Sequence, residues 1–417
     1  MLLRDADGYL AACRAQLTML ERQTAETVAS IREQMRAPDV LPTTRARCRS
    51  MIDAAEGQLA DVRALLEPLL PPEAEAPRPG PPIQVPSTLE YLPYLYRDWG
   101  WPAETNGENE RALAMVSAVA QGRPLGRVVV LGAGGCRLAY DLHRQDPQAE
   151  TVVVDVDPVL FAAASMVVRG GTVTLREANL EIGELERSSR EWVLYAPGGP
   201  LPAERFHFLV ADGVDPPFAP GAFDTVLTPW FLDQGPRDVR DFVSTVHRLL
   251  APGGRWLNLG PLLYAPEVPI AHRFAREELF DLAARAGFHV DRWETASAPY
   301  LVSKLNGRGK VEWVLAFSAT KLDASIEVPT SDPEGGPPAW LLFTHLPVPM
   351  FPVQSSVASA PRGSELVLAA IDGRRTQDDI ARRIAEQVAD GSVSLAEIRD
   401  AVRRCLADVH PGAAGER

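Results

Sequence analysis

The sequence is short of cysteine, of basic charge and of long apolar runs, and each shortage narrows the reading. Only Cys13, Cys48, Cys136 and Cys405 occur in 417 residues. They lie far apart, without the paired spacing of a metal site or the density of a disulfide framework, so reduced thiols and no metal are expected. Lysine and arginine number 42 against 55 aspartates and glutamates, a formal net charge of −13. That balance argues against a general binder of nucleic acid or anionic membrane. No stretch approaches the ~18 apolar residues of a membrane span. Met1-Leu2-Leu3-Arg4-Asp5 lacks the apolar core of a signal peptide, so a cytoplasmic protein is expected. Hydrophobic and charged contents of 46% and 23% are ordinary for a globular protein. The length allows two or three domains.

The stretch around which the chain is organised is Arg127-Val128-Val129-Val130-Leu131-Gly132-Ala133-Gly134-Gly135. A β-branched run enters a glycine-rich turn, and a helical segment follows. Glycine suits such a turn because a Cβ would block a ligand or a positive φ. About 20 residues on, a second run, Thr151-Val152-Val153-Val154, ends in Asp155, placed to accept hydrogen bonds from a ribose diol. The dinucleotide fingerprint would need a third glycine near Cys136, which is absent. An ordinary βαβ unit without a ligand is the competing reading. The pattern looks like a class I S-adenosylmethionine (SAM) methyltransferase, in which the loop holds the methionine end and the acid the ribose.

Spacings of three and four among Leu10, Cys13, Leu17, Leu20, Thr24, Val28, Ile31 and Met35 predict one amphipathic helix. Cys48, Ile52, Ala55, Leu59, Val62, Leu66 and Leu69 predict a second, so residues 1–70 read as a helical hairpin. Its apolar stripes must be covered by each other, by the core or by a second subunit, and a homodimer through these helices is one expectation. A proline-rich spacer occupies 71–86. Over 87–322 strands and helices alternate, as a doubly wound α/β sheet requires. Gly170 to Arg205 reads as irregular and long enough for a lid or substrate-side insertion. Gly132, Asp155, Asp212, Asp233 and Tyr264 fall past strand carboxyl ends, where such sheets bind ligands. Turns are expected at 251–254 and 372–374, a linker over 323–340 and a small helical domain over 341–412, with capping-box spacings at Thr376–Asp379 and Ser394–Glu397.

Several segments together resemble the carnosine N-methyltransferase family. They are Tyr96-Arg97-Asp98-Trp99, Gly132-Ala133-Gly134 with Arg137-Leu138-Ala139, Phe231-Leu232-Asp233, and the run from Pro252-Gly253-Gly254-Arg255 through Gly260-Pro261-Leu262-Leu263-Tyr264. The resemblance implies a class I methyltransferase (Rossmann-like) fold and SAM as cofactor. It implies that Arg97, Gly132, Asp155 and Asp212 bind SAM and that Pro229 lies where a SAM contact falls; Tyr94, Gly134 and Gly213 are expected to bind SAM beside them. It implies that Trp230, Asp233 and Tyr264 face the acceptor, with Asp233 and Tyr264 catalytic. Two departures matter. The family has a histidine after the tyrosine of its Gly-Pro-Leu-Leu-Tyr motif, where this chain has Ala265. It also has a tyrosine cluster before its last strand, where this chain has Gly309-Lys310-Val311-Glu312-Trp313. The C-terminal residues resemble PqqD-like peptide-binding modules, with a packing domain as the competing reading.

Methyl transfer from a sulfonium is an in-line displacement for which an enzyme supplies alignment. On an imidazole acceptor, Asp233 would accept the hydrogen bond of the second ring N–H and fix the tautomer. Asp233 could instead cap a helix beginning near Arg237. Arg97 could meet a carboxylate or serve a structural ion pair. The expected function is SAM-dependent N-methylation of an imidazole nitrogen in a small molecule or peptide. The alternatives are N- or O-methylation of another secondary metabolite, or a non-catalytic SAM- or peptide-binding regulator.

Overall fold

The structure, a computed structural model, describes residues 6–70, 88–102, 107–179, 187–234, 238–266, 268–303, 309–322, 364–371, 375–387 and 393–409. The expected spacer, the linker and the turn at 372–374 lie outside these residues. The chain forms two compact units. The first holds 1–235, 242–263 and 274–328; the second holds 236–241, 264–273 and 329–417.

The first unit is built on a seven-stranded sheet. In chain order its members are β1 (Arg127–Leu131), β2 (Glu150–Asp155), β5 (Phe206–Val210), β6 (Phe223–Pro229), β7 (Leu250–Gly260), β8 (Phe288–Tyr300) and β9 (Lys310–Lys321). The spatial order is β5-β2-β1-β6-β7-β9-β8, with β9 antiparallel to both its neighbours and the other pairings parallel. This is the class I methyltransferase arrangement. The order reverses between β1 and β6, so the crevice past their carboxyl ends is where a ligand would sit. β1 is buried on both faces along its last four residues, which explains its unbroken valine run.

The helices follow their sequence signals. α1 (Ala6–Gln34) and α2 (Pro42–Leu66) form the hairpin, with Pro42 starting α2 rather than only breaking the pattern. Cys13, Leu17, Leu20, Val62, Leu65 and Leu66 join the same hydrophobic core as the sheet. Burying each such leucine or valine stabilises by roughly 1.5–3 kcal/mol. These positions of the two stripes are covered within the chain's own core. α3 (Thr88–Leu95) runs into a π-helical turn at Tyr96–Gly100. α4 (Glu108–Ala120), α5 (Arg137–Gln145), α6 (Pro158–Val168), α7 (Val239–Leu249) and α8 (Arg276–Arg285) complete the layers. In α6, Pro158 starts the helix and Asp157 caps it, its Oδ1 accepting from Val159 N at 2.8 Å and Leu160 N at 3.3 Å.

Two expectations are corrected. Gly170 to Arg205 is not irregular: it contains a two-stranded antiparallel hairpin of β3 (Val173–Ala178) and β4 (Ser189–Leu194). The hairpin is tied to the N-terminal helices and not free as a lid. Asp61 accepts from Arg176 N at 2.7 Å and Gln58 donates to Arg176 O at 3.1 Å, while within the hairpin Trp192 donates to Glu177 at 2.7 Å. Burial at Val173, Leu175 and Glu177 alternates with exposure, the two-residue period of a half-buried strand. The turn expected at Ala251–Gly254 is instead absorbed into β7 as an irregular start beside Phe223.

Among the described residues no helix is long and apolar enough to cross a membrane. In the second unit α9 (Ser364–Ala370), α10 (Gln377–Gln387) and α11 (Leu395–Val409) share a core of Val367, Ile380, Ile384, Val402 and Leu406. Both expected capping boxes form. Asp379 N donates to Thr376 Oγ1 at 3.0 Å, and Ser394 N donates to Glu397 Oε2 at 2.8 Å.

Candidate active site

The glycine turn and the acid that follows β2 are joined directly. Gly132 and Gly134 take positive φ of 70° and 55°, the left-handed region that favours glycine. Gly134 N donates to Asp155 Oδ2 at 2.8 Å, and Asp157 N donates to Asp155 Oδ1 at 3.0 Å. Burial raises the Asp155 pKa against the pull of these amide donors. A Cβ at Gly132 would stand 2.2 Å from the Phe231 ring, and one at Gly213 would stand 2.8 Å from it. One aromatic ring thus brings the ends of β1, β5 and β6 together. Asp212 is exposed, and its Oδ1 accepts from Val214 N at 2.8 Å.

The π-helical turn docks on the glycine loop. Trp99 Nε1 donates to Gly135 O at 2.7 Å, and Arg137 Nη1 donates to Asp98 O at 2.7 Å. Arg97 Nε donates to Asp98 Oδ1 at 2.7 Å, so the structural ion pair is present. The guanidinium carbon lies 5.3, 6.0 and 5.9 Å from the ring centroids of Tyr94, Trp230 and Tyr300. Burial disfavours its charge, but Asp98 leads a set of groups that outweigh burial, so Arg97 stays protonated.

The far wall comes from the end of β6 and from β8 and β9. Trp230 adopts φ 49°, unusual for an aromatic residue, and its N–H donates to Leu259 O at 2.6 Å. Such a conformation costs on the order of 1–3 kcal/mol and persists where the surroundings impose it. The Trp230 ring stacks on Tyr300 at 5.5 Å, and its Nε1 donates to Glu312 Oε2 at 3.1 Å. Tyr300 donates to the Tyr94 hydroxyl at 2.9 Å. β8 and β9 remain paired as far as Tyr300 and Lys310, whereas β7 pairs with β9 only as far as Gly260 and Leu315. The ribbon so formed overhangs the carboxyl edge. Glu108 holds the chain after it, accepting from Leu301 N at 2.9 Å and Val302 N at 3.0 Å.

Asp233 is 3% exposed. Its Oδ2 accepts from Leu263 N at 2.8 Å, while its Oδ1 has no hydrogen-bond partner among the described residues. It does not cap the following helix; Asp238 does, accepting from Arg240 N at 2.8 Å. Burial raises the Asp233 pKa, with the Leu263 amide, its own amide and the Gln234 side chain working in the opposite sense.

Of the residues singled out from sequence, Tyr94, Arg97 and Trp230 converge. Gly134 joins Asp155, and Gly132 joins Gly213. Pro229 is buried at the end of β6. Tyr264 belongs to the second unit. Sequence reasoning missed Tyr300, Asp157 and the part played by Glu312. Alternation along Thr295–Tyr300 and Lys310–Val314 was the available signal.

Residues 203–309 match the family model described as carnosine N-methyltransferase. That stretch is similar to the carnosine N-methyltransferase family. It holds Asp212, Gly213, Pro229, Trp230, Asp233, Tyr264 and Tyr300. The carnosine N-methyltransferase unmet of Drosophila melanogaster is 40% identical over 63 residues, 15% of this chain and 14% of that one. The carnosine N-methyltransferase of Mus musculus is 34% identical over 91 residues, 20% of this chain and 22% of that one. The chain thus spans about a quarter or less of the length of these curated relatives. Among solved structures, the [4+2]-cyclase SpnF aligns with TM-score 0.37 and 14% identity, over 65% of this chain and 96% of that one. An S-adenosylmethionine dependent methyltransferase from Mesorhizobium loti aligns with TM-score 0.34 and 17% identity, over 51% and 100%.

Proposed function

We propose that the protein is a SAM-dependent N-methyltransferase whose acceptor is an imidazole-type ring nitrogen of a small molecule or peptide. The observation that carries this reading is Asp233, a buried carboxylate with one oxygen lacking a partner among the described residues, four residues beyond the end of β6. A buried carboxylate oxygen left without a donor is costly, and a ring N–H of an acceptor would satisfy it. The cradle of Gly134 N on Asp155, beside the topological switch point, suits a nucleoside with a ribose diol.

Asp155 would hold the ribose hydroxyls, and Arg97 the methionyl carboxylate. When bound, SAM supplies a methyl group activated by its sulfonium. Asp233 would accept the N–H of the acceptor ring, fix its tautomer and stabilise the positive charge that grows on the ring during transfer. Trp230 and Tyr300 would align the ring, and alignment is the larger part of what such a reaction needs. Tyr264 is retained as an acceptor contact on the strength of the resemblance. Ala265 and the segment Gly309–Trp313 remove contacts that would define a carnosine site, so we assign the acceptor to another imidazole-bearing molecule.

Calorimetry with SAM, followed by release of S-adenosylhomocysteine with carnosine, histidine and short histidine peptides, tests the reading. Asp233→Asn is expected to keep SAM binding and to lose roughly 10²–10³-fold in kcat, the usual cost of one charge-stabilising contact. Turnover of wild type should rise with pH through the raised Asp233 pKa, because the ionised form accepts the N–H. An Asp233→Asn variant with unchanged turnover removes Asp233 from the mechanism, and absence of SAM binding removes the function.

A further inference from the structure

Glu312 lies where the tyrosine cluster of the resembled family would fall. It is 9% exposed, on the face of β9 that carries Val314 into the core, whereas its neighbours Val311 and Trp313 are exposed on the other face. Its Oε2 accepts from Trp230 Nε1, the ring expected to face the acceptor. Burial makes its ionised form costly, and the charges of Asp233 and Glu108 add to that cost. Lys310 eases the cost electrostatically, yet among the described residues no lysine or arginine forms an ion pair with Glu312 or Asp233. Arg97, the nearby cation, is engaged by Asp98. Buried carboxylates without a counter-ion are rare and costly. Asp233 also keeps an oxygen with no hydrogen-bond partner among the described residues. The side chains beside Glu312 are aromatic: Trp230 donates to it, Tyr300 stacks on Trp230, and Tyr94 meets Tyr300 edge-on. Aromatic faces with a carboxylate beside them form a surface suited to an organic cation.

We propose that Glu312 is a specificity-determining residue that selects acceptors carrying a positively charged amine in addition to the ring that is methylated. The proposal rests on the reading of Asp233 as the ring-holding residue, and the two divide the work. Asp233 holds the neutral ring through its N–H; Glu312 pairs with an ammonium at the other end of the molecule. No atom of the reacting centre is assigned to Glu312.

The test uses the full chain with S-adenosylhomocysteine bound and two pairs of probes. Histamine and imidazolepropionate share the imidazole and differ in charge. Phenethylamine and phenylpropionate differ in the same way without an imidazole. Binding of all four is measured by calorimetry, and turnover of the imidazole pair with SAM. Wild type is expected to favour the amine of each pair at least tenfold. Glu312→Gln keeps an acceptor for Trp230 and is expected to erase the preference, raising KM for histamine more than it lowers kcat. Glu312→Lys is expected to reverse it. SAM binding is followed in each variant as a check on the fold.

Equal binding of amine and acid by wild type overturns the proposal, as does a preference that survives in Glu312→Gln. A loss confined to SAM, with S-adenosylhomocysteine binding and the amine preference intact, also overturns it, because Glu312 would then serve the sulfonium. An amine preference in both pairs with no turnover of either imidazole supports the charge assignment and refutes the imidazole reading.

Discussion

Asp157→Asn is expected to stabilise the protein at pH 8 and to leave it little changed near pH 4. Asp157 is 1% exposed. Its Oδ1 caps α6, and its Oδ2 has no hydrogen-bond partner among the described residues. Burial, then the charge of neighbouring Asp155, outweigh the two capping amides and push its pKa up to about 7 from an ordinary 3.8. The folded state therefore holds a proton that the unfolded state has released over that window. Stability falls as pH rises through it, in contrast to a salt-bridged aspartate. At 1.36 kcal/mol per pKa unit the whole effect is about 4 kcal/mol, with more than half of it lost between pH 5 and pH 8. Asparagine keeps the cap and the shape and does not ionise. Urea denaturation of both proteins at half-unit steps from pH 4 to 8.5, followed by tryptophan fluorescence, measures the difference. Stability profiles that run parallel across the range would refute the reasoning.

Three further substitutions have expected outcomes. Arg255 is buried and donates to Ala120 O, Arg123 O and Pro124 O at 3.0, 2.7 and 2.9 Å. Arg255→Met fills the volume but orphans these carbonyls, and should cost about 3 kcal/mol or more in denaturation experiments. Trp230→Phe keeps a ring on Tyr300 but strips Glu312 of its donor, and should cost about 2 kcal/mol, the range for hydrogen bonds to charged groups. Glu108→Ala frees the amides of Leu301 and Val302, so hydrogen–deuterium exchange there should quicken at least tenfold while β1 stays protected.

The core of the fold was legible because its signals are local. The valine runs of β1 and β2, the glycine turn and the acid at Asp155 each state a strand, a turn or an edge within a few residues. The hairpin of β3 and β4 was missed because its inward side includes Glu177, a polar residue buried by Trp101 and Trp192. Its partners lie far away in sequence. Arg255 stood in view as part of a family motif. Only the structure gives its task, which is to tie the end of α4 to β7.

The same contrast between local and distant signals divides the candidate site. The side that meets Asp155 is made by consecutive residues and by backbone N–H groups, which tolerate few alternatives. The side that would meet an acceptor is made by single side chains from four places: Tyr94, Trp230 with Asp233, Tyr300 and Glu312. Each can change without disturbing a strand, because the ribbon of β8 and β9 is fixed by its pairing and by Glu108, not by the residues on its inner face. That is why Gly309–Trp313 can depart from the resembled family while Gly132–Gly134 and Phe231–Asp233 do not. On the proposed function, methyl transfer would depend on the geometry of the first side, and the choice of acceptor on the second. On that reading a change of substrate would need no change of fold, only of residues such as Glu312.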